Sequence, residues 1–193
     1  TRVSLALSAP DKGNAFVLGD FNDWSLNKDY QMYKGEDYFW ITLDDLEPGQ
    51  EYRFQYLIDG VLLIADPYSE KIISQYDDSQ IISENRYPDL DPYPANQTKF
   101  EVSVLQTDQV PYDWVVTDFQ KPKKEDLVIY ELLVRDFTDQ RTFQAVLDKL
   151  DYLDSLGINA LELLPIMEFE GNLSWGYNPA FMMAVDKYYG TEQ

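Results

Sequence analysis

The 193-residue sequence contains no cysteine and no histidine. It can therefore form no disulfide, thiolate nucleophile, Ser-His-Asp triad or typical zinc site, and carboxylate chemistry is what remains for catalysis. Basic residues are scarce: 15 Lys plus Arg stand against 35 Asp plus Glu, a net charge of -20. Such a chain repels phosphate backbones and anionic lipid, which excludes nucleic acid and membrane surfaces as partners. Neutral sugars are indifferent to that charge. Apolar runs long enough to span a membrane are also missing, as is a signal-peptide pattern behind Thr1. The lack of Cys leaves the compartment open, and a start at Thr in place of Met reads as a processed or trimmed chain.

What is present is aromatic. Aromatic residues make up 15% of the chain, with 15 Tyr and 10 Phe, and hydrophobic residues 45%. That is too rich for disorder and suits β-structure or a carbohydrate-facing surface. From residue 3 to 64, short apolar alternations at 3–7, 15–18, 38–43, 51–58 and 61–64 are separated by turn clusters, which predicts a β-sandwich. Tyr52, Phe54, Tyr56 and Ile58 alternate with Arg53, Gln55 and Leu57, giving one packed and one mostly polar face. Asp59-Gly60 between two such runs predicts a hairpin turn with positive φ values. Residues 66–98, with Pro67, Pro88, Pro92 and Pro94, read as an elaborate loop region, and 99–105 as a returning strand. Asp77-Asp78 and Asp89 with Asp91 read as solvated turn residues and not as a calcium site.

After a Pro- and Lys-rich linker at 106–126 the period changes. Residues 127–137 predict an apolar strand, and Phe143, Val146, Leu147, Leu150, Leu153 and Leu156 recur at helical spacing. Residues 160–164 predict a second apolar strand, completing a β-α-β unit. Thr142 is the expected N-cap, and Gly157 the expected left-handed C-terminal residue. The chain thus divides into a sandwich (1–105), the linker (106–126) and a β-α-β region (127–193). At 193 residues it is too short for a whole (β/α)8 barrel, which needs about 250.

Gly19-Asp20-Phe21-Asn22-Asp23-Trp24, followed by Met32, Trp40, Pro48-Gly49, Tyr52-Arg53-Phe54 and Asp59-Gly60, resembles the immunoglobulin-like, early-set carbohydrate-binding module of family 48. Val128-Ile-Tyr-Glu131-Leu-Leu-Val-Arg135-Asp136-Phe-Thr138, then Gly157-Ile-Asn-Ala-Leu-Glu-Leu-Leu-Pro165 and Trp175-Gly-Tyr177-Asn-Pro179, resembles the first two barrel strands of α-amylase-family (family 13) glycoside hydrolases. The resemblance implies a mainly β chain: an early-set sandwich followed by the opening β-α-β of a truncated (β/α)8 barrel. It implies a parent enzyme that hydrolyses α-1,4-linked glucans with retention, α-glucan polysaccharide or oligosaccharide being its partner. A debranching or branching enzyme of the same family is the alternative within the class, and a non-catalytic glucan-binding module the alternative outside it.

The same resemblance assigns substrate contacts to Tyr177, stacking under a sugar, to Trp175 on the rim of the same loop, and to Trp24 as one half of a glucan platform. The platform's second position is Leu62 here. The alternative reading of Trp24 is a ring that packs the loop against its own sandwich. Catalytic residues in this chain: none. By the resemblance they belong to the third, fourth, fifth and seventh barrel strands, past Gln193, so the chain alone is expected to be inactive. Glu131 and Glu162 could be mistaken for a catalytic pair, but carboxylates at that depth are expected to ion-pair with Arg135. No metal and no cofactor is called for, and the unpaired edge of a truncated barrel is expected to favour self-association.

Overall fold

Side-chain alternation builds the first half of the molecule. In the computed structural model, which describes residues 1–191, one unit comprises Thr1–Asp78 with Asp91–Val110. Its first strand, β1 (Val3–Ser8), buries Leu5 and Leu7 while Ser4, Ala6 and Ser8 face out. Strand β2 (Ala15–Gly19) buries Ala15 and Val17, and after the short β3 (Tyr33–Lys34), β4 (Tyr38–Leu43) buries Phe39, Ile41 and Leu43. Strand β5 (Glu51–Ile58) buries Tyr52, Phe54, Tyr56 and Ile58. These inward residues of β1, β2, β4 and β5 form one hydrophobic cluster, so two sheets share one core, as the period of two requires.

Both sheets are antiparallel. One has the order β1-β4-β3; the other runs β2-β5-β8-β7, with β7 at Lys71–Ile73 and β8 at Val102–Gln106. Strand β6 (Leu62–Ile64) pairs with the Tyr56–Ile58 end of β5, and β8 pairs with the Glu51–Phe54 end of the same edge. The Asp59-Gly60 turn between β5 and β6 forms as expected, with φ of 51° and 69°. Asp59 also accepts hydrogen bonds from the backbone N–H groups of Gly13 and Asn14 at 2.7 and 3.0 Å.

Two expectations for this half need correction. Gln55 does not lie on a polar outer face. It is fully buried, because the 98–101 segment covers it: its amide donates to the carbonyls of Lys99 and Glu101, each at 2.7 Å, and accepts from the Thr98 hydroxyl. Residues 66–98 are more than loop. They contain β7 and the helix α1 (Asp78–Ser83), and Ser79–Leu90 groups with the second unit. Asp78 is buried and accepts from the Ser74 N–H at 2.8 Å, so it is not a solvated turn residue.

The second unit comprises Ser79–Leu90 and Pro111–Gln193. The strand expected at 127–137 is shorter: β9 covers Ile129–Leu132, and Val134–Phe137 is the helical turn α2. The single expected helix is two, α3 (Phe143–Leu147) and α4 (Leu150–Ser155), separated at Asp148 and Lys149. Thr142 caps α3, accepting from the Ala145 N–H at 3.2 Å. At the end of α4, Gly157 (φ 79°) donates to the Asp154 carbonyl and Ile158 to that of Leu153, the two bonds of a Schellman cap. Strand β10 (Ala160–Leu163) then pairs in parallel with β9, with Glu162 directly beside Glu131. The antiparallel pair β11 (Met167–Phe169) and β12 (Pro179–Val185) follows. No helix among the described residues is long and apolar enough to cross a membrane.

Adjacent residues on β4 should respond oppositely to truncation. Phe39→Ala, at 1% exposure, is expected to cost about 3–5 kcal/mol. Tyr38→Ala, at 51%, should stay within about 0.5 kcal/mol of the parent. Urea unfolding of both variants checks the pair, and equal losses would contradict the assigned faces.

Candidate functional site

The 172–178 turn joins β11 to β12 and carries Trp175 and Tyr177, which are 64% and 69% exposed. Short side chains and one glycine fix its backbone. The Ser174 hydroxyl donates to the Asn178 side-chain carbonyl and accepts from the Gly176 N–H at 3.0 Å, while Arg135 Nη1 donates to the Ser174 carbonyl at 3.2 Å. Gly176 sits at φ 86°, and a Cβ built there would lie 2.1 Å from the Pro165 carbonyl oxygen. No other residue fits that contact. The glycine therefore lets the turn fold back on Pro165 while the rings on either side of it stay exposed.

Arg135 comes from α2 and forms a two-pronged pair with Asp136, Nε to Oδ1 at 2.7 Å and Nη2 to Oδ2 at 2.8 Å. The Arg135 hydrogen bonds hold the Asp136 carboxyl below its ordinary value. The expected ion pair of Arg135 with Glu131 or Glu162 is absent among the described residues. The reason is the helical turn at Val134–Phe137, which takes Arg135 off the strand. Glu131 and Glu162 are neighbours in register and exposed. Each is the penultimate residue of its four-residue strand.

Glu168 of β11 and the residues just after β12 form a buried polar cluster that sequence reasoning missed. Glu168 of β11 pairs with Lys187 and also accepts from the Lys187 N–H at 3.3 Å. Asp186 accepts from the N–H groups of Tyr188 at 2.9 Å and Phe169 at 3.4 Å. All three side chains are nearly inaccessible, with residue exposures of 7% for Glu168 and 2% for Asp186 and Lys187. Burial, reinforced by the neighbouring Glu168 charge, pushes the Asp186 carboxyl up to about 7. Glu168 lies between Met167 and Phe169, Asp186 and Lys187 follow the apolar 179–185 run, and an acid eighteen residues before another gives no periodic signal.

Trp24 belongs to the first unit and is only 8% exposed. Its indole N–H donates to Asp20 Oδ1 at 3.0 Å, and Arg53 grips the same carboxylate through Nε at 2.8 Å, Nη2 at 3.0 Å and its backbone N–H at 2.8 Å. Partial burial raises the Asp20 carboxyl, but the hydrogen bonds from Arg53 and Trp24 outweigh it and leave the group below its ordinary value. The expectation of an open platform at Trp24 is thereby corrected. The ring is a packing element tied to Asp20, and Trp175 and Tyr177 share one turn of the second unit. Among the described residues no group of three Asp or Glu side chains is arranged to hold a metal ion.

Two antiparallel sheets over one core, followed by a parallel β-α-β and a loop bearing Trp175 and Tyr177, match known proteins over nearly the whole chain. The chain corresponds to the N-terminal region of α-amylase-family glycoside hydrolases. It is 34% identical over 165 residues to malto-oligosyltrehalose trehalohydrolase of Saccharolobus solfataricus, a match covering 83% of this chain and 24% of that protein. Among solved structures it resembles a Salmonella typhimurium protein provisionally assigned as an α-amylase, with a TM-score of 0.71, 23% identity, and coverage of 98% of this chain and 27% of that one. It also resembles the maltotriose complex of pullulanase from Anoxybacillus sp. LM18-11, with a TM-score of 0.67, 17% identity, and coverage of 97% and 28%. No protein-family model matches the chain. The chain spans about a quarter of the length of the curated relatives it matches.

Asp186 makes stability depend on pH with a definite sign. Its carboxyl titrates at about 7 when folded against 3.8 for an unperturbed group. Between those values the folded state keeps a proton that the unfolded chain releases, so stability falls as pH rises through the window and levels off above it. Asp186→Asn should remove that fall, shrinking the stability difference between pH 5 and pH 8 by about 2 kcal/mol in urea titrations. An unchanged pH slope would contradict the assignment. Gly176→Ala should destabilise by more than about 1 kcal/mol, measured in the same way.

Proposed function

We propose that this chain contributes the N-terminal module and the opening β-α-β of the catalytic barrel to an enzyme that hydrolyses α-1,4-linked glucans with retention. Its substrate would be a malto-oligosaccharide such as malto-oligosyltrehalose. The observation that carries the reading is the similarity across 83% of the chain to a malto-oligosyltrehalose trehalohydrolase. The structure adds physical support. Parallel strands are ordinarily covered on both faces, yet Ile129, Leu161 and Leu163 on β9 and β10, and Leu147, Leu150 and Leu156 around α3 and α4, are 37–56% exposed. Those apolar faces suit the remaining strands and helices of a (β/α)8 barrel.

In this reading Tyr177 supplies a flat ring to the apolar face of a sugar beside the scissile bond. Its π-face also favours the positive charge that develops in an oxocarbenium-like transition state. Trp175 forms the rim of the same subsite. Retention needs two carboxyl groups about 5 Å apart, which the reading places outside this chain. The module at 1–105 and the barrel segment at 127–193 are then successive domains joined through 106–126. A debranching activity is the second reading, favoured by the fold shared with pullulanase.

The full-length protein containing this chain should release trehalose from malto-oligosyltrehalose with net retention at the cleaved anomeric carbon. In that protein Tyr177→Ala should lower kcat/KM by roughly tenfold to a hundredfold with the fold intact. The 193-residue chain alone should release no reducing sugar from maltoheptaose. Inverted products, or no cleavage of either substrate by the full-length protein, would overturn the reading. Cleavage of pullulan in preference to malto-oligosyltrehalose would select the debranching alternative.

A further inference from the structure

The outer face of the β1-β4-β3 sheet carries an aromatic surface that the reading above does not use. On β4 the residues on either side of buried Phe39 point outward: Tyr38 is 51% exposed and Trp40 41%. Tyr33 of β3 lies opposite Trp40 in register and is 65% exposed. The two rings stack at 4.9 Å between centroids with 28° between planes. On the other side of β4 the partner of Trp40 is Ala6 and that of Tyr38 is Ser8, with Ser4 next along β1. Small side chains thus border the large rings of Trp40 and Tyr38 on this face.

We propose that this aromatic face is a non-catalytic binding surface for an α-glucan chain, separate from the Tyr177 turn; the choice of α-glucan rests on the hydrolase reading. The chemistry of the face favours a neutral sugar polymer. Every large side chain on it is a Tyr or Trp, combining a flat apolar ring with a polar group at its edge. It bears no large aliphatic side chain of the kind a protein interface would bury, and the cations at its margins, Arg2 and Lys34, are engaged with Asp44 and the Lys12 carbonyl. A net charge of -20 further disfavours acidic polymers. Stacking sets Tyr33 and Trp40 against each other before any ligand arrives, so little side-chain freedom is lost on binding. Ser8 offers a hydroxyl to sugar hydroxyls beside the rings, while the Ser4 hydroxyl is shared with that of Thr42 at 2.9 Å. The sequence conceals this surface, because Tyr38 to Leu43 is almost uninterruptedly apolar and its aromatic residues look like core.

Affinity electrophoresis of the 193-residue chain tests the proposal, with amylopectin in a native gel and xylan as a second matrix. Amylopectin should retard the chain and xylan should not. The Tyr33→Ala, Trp40→Ala double variant should bind amylopectin at least about tenfold more weakly, with an unchanged far-UV spectrum. Trp40→Phe should keep most of the retardation. Equal retardation of the double variant and the parent would overturn the surface while leaving glucan binding elsewhere intact. Absence of retardation, or equal retardation by xylan, would overturn it as well. So would sedimentation showing a dimer that the double variant dissociates, without amylopectin binding, which would assign the face to a second copy. Failure of the hydrolase reading would show separately, as lack of cleavage by the full-length protein.

Discussion

The two-residue period of β4 is the constraint on which the first unit depends. The pleat sends Phe39, Ile41 and Leu43 into the core with residues of β1, β2 and β5, and it leaves Tyr38 and Trp40 on the opposite face. A one-residue slip would exchange the two sets. The register with β1 is therefore fixed by apolar burial, and the outer aromatic surface is the geometric complement of the core. The same burial organises β5, whose two edges serve three other strands.

Charge is handled differently in the two units. In the first, Asp20 gathers Trp24 and Arg53 at a partly exposed position, and its hydrogen bonds more than offset the cost of removing it from water. In the second, Glu168, Asp186 and Lys187 are almost wholly enclosed, and two acids share one cation. Burial then dominates, and Asp186 holds its proton up to about pH 7. That cluster supports the two strands whose connecting turn presents Trp175 and Tyr177.

Much of the architecture could be read along the chain. The alternations at 3–7, 15–18, 38–43 and 51–58 mark strands, Asp59-Gly60 marks its hairpin, and Thr142 and Gly157 bound the helical segment because capping chemistry is local. The departures have physical causes. Val134–Phe137 continues an apolar run yet turns helical, and Gln55 is polar yet buried because a segment more than forty residues away supplies its hydrogen bonds. The word around Trp175 and Tyr177 singled out both residues, and the structure leaves both rings exposed. A packed Trp24 was one of the two readings the sequence offered, whereas its tie to Asp20, held in turn by Arg53, was not visible along the chain.

Composition alone limited this 193-residue chain to carboxylate and aromatic chemistry, because absent side chains cannot act, and gave it a net charge of -20. Periodicity determined which segments are strands, since alternation is a local property. Tertiary structure decided which aromatic rings remain available. Trp24 is closed by its bond to Asp20, Tyr177 is held open by a glycine pressed on Pro165, and Trp40 is exposed because its neighbours on β4 fill the core. Those outcomes depend on contacts between residues far apart in sequence, which no local pattern encodes.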